Sequence, residues 1–245
     1  MTEQEWLACT APWPMLEFLR HKVSDRKLRL FACICCREVW RQLPDERSHK
    51  AVEVAERYAD GAAAAEVLTA AWQAAASAPW EVAEVARQAT SAALWATAAD
   101  AFVAAVVASR HAAYAARDAA WALASHAAGA TTWNSPEIAR DAAAWRGVWA
   151  VMANERADQA ALLRCIFGTP FRSITLDPAW LPWHDGLLVS MAQRMYDARD
   201  FADMPVLADA LEDAGCTNQD ILGHCRSGGE HVRGCWVVDL VMGKS

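Results

Sequence analysis

The sequence lacks the features that mark most function classes. It has no excess of positive charge: 23 Lys and Arg against 30 Asp and Glu leave a net charge of −7. Nucleic-acid binding draws most of its affinity from cations on phosphates. The one basic run, Arg20 to Arg29 (RHKVSDRKLR), reads as a solvated helix face, so nucleic acid is not an expected partner. No apolar run reaches the roughly 20 residues of a membrane span, and the most apolar stretch, Ala92 to Ala108, carries Asp100. The opening residues, Met1 to Trp6, are acidic and lack the basic-then-apolar pattern of a secretory leader. These absences predict a cytoplasmic protein without a membrane partner. Its eight Cys then read as reduced thiols or metal ligands, not as a disulfide framework. Neither GxSxG nor HExxH is present, and with those hydrolase signatures missing the expectation is a non-enzymatic protein.

Helix breakers are scarce in the middle of the chain. No Gly or Pro occurs between Pro79 and Gly129, and about half of the residues from Gly61 to Ala130 are Ala, the strongest helix former. An unbroken helix from Trp80 to Ala128 would be about 70 Å long. Sevenfold spacing in Trp95 and Phe102, and again in Val107, Tyr114 and Trp121, suggests a coiled-coil-like seam. The two runs are out of phase, which predicts a kink or a change of partner between them. After Gly129 to Asn134, the sequence Ser135-Pro136-Glu137 is a strong helix start. The helix it opens places Ile138, Trp145, Trp149, Met152, Leu163 and Ile166 on one stripe. A short loop between long helices favours an antiparallel hairpin. The 13 Trp, each able to bury roughly 150–250 Å², would fill gaps between Ala on the facing helix.

The ends read as shorter helices. Pro12 and Pro14 should end a first helix. Ser24 can cap a helix running to Leu43, with Leu28, Phe31, Cys35 and Val39 on its buried face. Asp45 can cap another, closed by Gly61. Pro170, Pro178 and Pro182 make an irregular segment. Helices are then expected from Leu187 to about Arg199, from Pro205 to Ala214, from a Thr217 cap through His224, and from Cys235 to Met242. The fold class is all-α in three parts: 1–61 and 169–245 as the two halves of a compact head, and 62–168 as the Ala/Trp-rich long-helix segment. Long helices of this kind imply a protein partner, or self-association, along their length.

Three opening phrases, EWLACTAPWPMLEFLR, SDRKLRLFACICCREVW and AVEVAERYADG, resemble the start of a planctomycete protein family rich in Ala and Trp. LLRCIFGTPFRSITLDPAWLPWHDG, LADALEDAGCTNQDILGHC and HVRGCWVVDLVMGK are similar to its end. No activity is established for that family, so the resemblance transfers no catalytic residue. It does imply a layout in which the two ends pack as a head and the Ala/Trp segment is a helical insertion of variable length.

Three constellations could carry chemistry. The first is Cys216, His224, Cys225, His231 and Cys235. Zinc takes four Cys or His ligands tetrahedrally, often as a close pair on each side of a turn. Here His224 or Cys225 would face His231 and Cys235 across Ser227-Gly228-Gly229. The bland alternative is that these Cys are small buried hydrophobes. The second is Cys33, Cys35 and Cys36, of which Cys33 and Cys36 would share a helix face. They could join the C-terminal set, or simply be core. The third is His184-Asp185 with Asp177 nearby, a loop His beside acids that could act as a general base. His111 and His126 read as flanks of the long helix.

Overall fold

The computed structural model describes the backbone of residues 1–77, 84–127 and 142–244, and all of their side chains except those of 84–87, 94, 124–127 and 142–145. The Ser135-Pro136-Glu137 helix start, the His126 side chain and the Trp145 ring lie outside this set. Among the described residues every regular element is helical, as the sequence predicts. No described helix is long and apolar enough to cross a membrane.

The chain divides into two compact units, Met1–Ala8 with Ala161–Ser245, and Cys9–Ala160. This division differs from the three parts marked by breakers: residues 9–61 share a unit with the Ala-rich segment. Helix α1 (Glu3–Ala8) belongs to the first unit. The second holds α2 (Pro12–Leu19), α3 (Asp25–Glu38), α4 (Glu46–Ala59), α5 (Ala65–Ala76), α6 (Glu84–Ala96), α7 (Ala101–Ala127) and the first part of α8 (Ala142–Phe167). Pro12 and Pro14 therefore open a helix instead of closing one. Proline suits a first turn, where its missing N–H has no partner to lose.

Helix α3 lies at the centre of the larger unit, packed on α4, α6 and α7. Its run from Leu28 to Cys36, Arg29 included, is buried without interruption, so this stretch is enclosed on every side. Ser24 stands at its N-cap, but its hydroxyl makes no capping bond and is buried without a hydrogen-bond partner. Asp45 does cap α4, accepting from the Arg47 amide. The Glu56 carboxylate, buried on α4, is held by the Arg37 guanidinium through two hydrogen bonds.

No single helix spans 80–128. The chain breaks between Ala96 and Ala101, and α6 and α7 fold into an antiparallel pair, with Gln88 Oε1 2.7 Å from His111 Nδ1 across it. Asp100 caps α7 by accepting from the Val103 amide. The guanidinium of Arg29, itself buried, donates to the carbonyls of Ala96, Ala98 and Ala99 at 3.2, 2.6 and 3.1 Å. Ala96 is the last residue of α6, where helix geometry leaves the carbonyl without an intrahelical partner, and Ala98 and Ala99 lie in the connection that follows. A cation there also meets the negative end of the helix dipole.

The seam differs from the one expected. Ala89, Ala92, Ala93 and Ala96 on α6, and Ala104, Ala105, Ala108, Ala112 and Ala115 on α7, are buried, while Trp95 is exposed. Methyl groups let the backbones approach closely, and the indole is left outside. Trp121 is in the core, whereas Trp13, Trp72 and Trp149 are exposed.

On α8, Gln159 is fully buried and donates to Ser109 O at 3.1 Å and Glu155 Oε1 at 2.8 Å. Burial raises the Glu155 pKa, offset in part by the Gln159 bond and reinforced by Asp158. A carboxyl with a raised folded-state pKa contributes stability below its unfolded value, and this is lost as pH rises through the folded value. Glu155→Gln, which keeps an acceptor for Gln159, is therefore expected to melt above the parent at pH 7. The two should converge below about pH 4. Melting curves of both proteins from pH 4 to 8 check this.

Candidate metal centre

The smaller unit gathers the end of α8 with α1 and four further helices: α9 (Leu187–Ala198), α10 (Met204–Asp213), α11 (Gln219–Cys225) and α12 (Trp236–Met242). Helix α1 is pinned by Trp6, which is fully buried. Its Nε1 donates to Gly168 O at 3.0 Å, and Arg164 donates back to Trp6 O at 3.3 Å. Arg172 ties Glu3 to Asp220 through hydrogen bonds to both carboxylates.

Gly168 ends α8 with φ +59°, its amide bonded to Arg164 O, as helix C-termini commonly finish on a left-handed glycine. A Cβ there would lie 3.1 Å from atoms of the Trp236 ring. Gly168→Ala should cost about 1–2 kcal/mol from backbone strain alone, before any shift of Trp236. The check is a lower melting temperature at unchanged helix content.

This turn fixes the position of Cys165, buried on the last turn of α8. The Asn218 side chain caps α11 by accepting from the amides of Asp220 and Ile221, the role expected of Thr217. The helix places His224 and Cys225 on its last turn. His231 follows in the connecting loop, and Gly234, at φ +85°, turns the chain so that Cys235 stands at the N-cap of α12. His231 and Cys235 are thus brought together by a turn.

Four side chains converge: Cys165, His224, His231 and Cys235, whose ligand atoms all lie within 4.8 Å of one another. His224 Nε2 is 3.3 Å from Cys235 Sγ. His231 Nδ1 is 3.9 Å from Cys165 Sγ and 4.0 Å from Cys235 Sγ. A tetrahedral centre with zinc's bond lengths needs S···N separations of about 3.6 Å, so the present spacing brackets that requirement. The two imidazoles meet edge to face at 4.8 Å, and Trp236 covers His224 at 5.3 Å. His231 Nε2 is buried without a hydrogen-bond partner.

The thiols are electrostatically unequal. Burial opposes ionisation of Cys235, but hydrogen bonds from Cys165, His224 and His231 outweigh it and push its pKa well down. The same bond to Cys235, with burial, pushes Cys165 up. One thiol of the pair thus leans toward thiolate, the form in which cysteine binds metal. Its place at a helix N-terminus favours that form too.

Of the five residues singled out by sequence, three belong to this cluster. Cys216 and Cys225 are buried apart from it, and burial pushes the Cys225 thiol up. They are core residues. Cys165 was missed because it lies 66 positions from His231, where no local spacing could join the two. The other constellations do not assemble. Cys33, Cys35 and Cys36 are fully buried, with thiols that desolvation holds protonated. Cys33 contacts Val52 O and Cys36 contacts Ala32 O. His184 is exposed and meets Trp183 edge to face at 4.2 Å, and Asp177 is spent accepting from the Ala179 amide.

Set against protein-family models, curated proteins and solved structures, the chain matches none.

Proposed function

We propose that this protein is a non-enzymatic helical scaffold whose smaller unit is closed by a structural zinc ion on Cys165, His224, His231 and Cys235. The convergence of those four donor atoms carries the reading. Two thiols and two imidazoles suit zinc better than a hard cation such as magnesium or calcium, which takes oxygen ligands. Four protein donors leave no position for water or substrate, as in structural and not catalytic sites. Such an ion ties the end of α8 to the loop before α12. The larger unit supports the scaffold part by leaving the Trp13, Trp72, Trp95 and Trp149 rings exposed, apolar surface that a partner could cover.

Elemental analysis of protein purified without chelator is expected to give one zinc per chain. Replacement by Co²⁺ should give the intense visible bands of a tetrahedral site with thiolate ligands. A metal content near zero after exposure to zinc, with no cobalt spectrum, would remove the proposal.

A further inference from the structure

A cavity of about 370 Å³ opens within the larger unit, in the size range of small-molecule sites. It shares no residue with the metal centre. Pro12 and Trp13 form one wall at the start of α2. Val106, Arg110 and Ala113 contribute one face of α7, and Arg156 and Gln159 close the cavity from α8.

Two features set this cavity apart. First, Arg110 and Arg156 both line it, and neither has an ion-pair or hydrogen-bond partner among the described residues. Other arginines of this acidic chain are spent on carboxylates: Arg37 on Glu56, Arg47 on Asp45, Arg172 on Glu3 and Asp220, Arg226 on Asp209 and Glu212. Two unspent guanidiniums on one cavity are a preformed counter-charge for an anion, and their planar forks suit a carboxylate. Second, the rest of the lining fits a ring. Pro12, Val106 and Ala113 supply apolar surface, and the exposed Trp13 indole supplies a stacking face. Gln159 adds a buried carboxamide whose Oε1 has no hydrogen-bond partner, an acceptor for a ligand hydroxyl.

We propose that this cavity is a binding site for a small aromatic carboxylate, its ring against Trp13 and its carboxylate between Arg110 and Arg156. The reading is independent of the metal centre.

Calorimetric titration of the full chain with 2-naphthoate tests it, with acetate and 2-naphthol as an anion without a ring and a ring without a charge. Saturable one-to-one binding of 2-naphthoate is expected, with both controls at least about tenfold weaker. The double variant R110Q/R156Q should lose at least about tenfold in affinity while keeping the parent's circular dichroism and melting temperature. Trp13→Ala should weaken 2-naphthoate several-fold and leave acetate unchanged. No saturable binding by the parent, equal affinity for 2-naphthol, or undiminished affinity in the folded R110Q/R156Q variant would each overturn the proposal.

Discussion

Zn²⁺ in excess is expected to raise the melting temperature of chelator-treated protein, and Cys235→Ser to remove both the metal and the shift. A ligand at about 100 times its Kd stabilises the state it binds by about 2.7 kcal/mol. In a domain of this size each kcal/mol moves the melting point by about 4–8 °C. A shift of about 10 °C or more therefore follows for the smaller unit. Cys165→Ser, His224→Gln and His231→Gln should behave like Cys235→Ser, because each removes one of four converging donors. Cys216→Ser and Cys225→Ser supply the contrast. Both residues are buried outside the cluster, so these variants should lose stability yet still bind one zinc. Acidification should release the ion, since thiolates and neutral imidazoles are the ligands and protons compete for them. Zinc that binds equally well after loss of any of the four, or that leaves the melting curve in place, would refute the assignment.

The second large effect belongs to Arg29. Its guanidinium satisfies three carbonyls at the α6–α7 break and lies 5.1 Å from the Tyr58 ring centroid. Arg29→Met would keep much of the apolar bulk and strand the Ala96 carbonyl in the core, while those of Ala98 and Ala99 lie nearer solvent. A buried acceptor left without a partner costs about 1–3 kcal/mol, and only one of the three is buried, so the variant should lose about 1–3 kcal/mol. Lys should rescue it only in part, because an ammonium is a point donor that cannot fork to three acceptors. Urea unfolding gives the total. Hydrogen exchange at residues 101–105 locates it, since loss of the clamp should loosen the start of α7 first. A stability within 1 kcal/mol of the parent would show that the break is held by Asp100 and helix packing alone.

The elements that were legible in the sequence were those written in neighbouring residues. Asp45 caps α4 as its place before an amphipathic run suggests, and the helices of residues 187–242 fall close to where breakers put them. His224, His231 and Cys235 were legible as candidate metal donors because eleven and four positions separate Cys235 from them, near enough for a turn to close. The reading failed where one residue's role depends on a distant one. Heptad spacing put Trp95 in the seam, but methyl groups can pack two backbones more closely than an indole allows, and the ring is outside. Alanine's helix propensity argued for one rod from 80 to 128, and nothing local outweighs it. Arg29, about 70 positions away, supplies the donors that make a break tolerable.

By itself, the sequence determined that this chain is helical, because Ala-rich runs and capping residues act within a turn or two of backbone. It also determined that the chemistry on offer is that of thiols and imidazoles. Only the tertiary structure decided which of them converge. Cys165, brought in on the last turn of α8, completes the set, while Cys216 and Cys225 pack into the core. Ligation requires donors to converge on a point in space, and sequence distance does not measure that once the chain has folded back on itself.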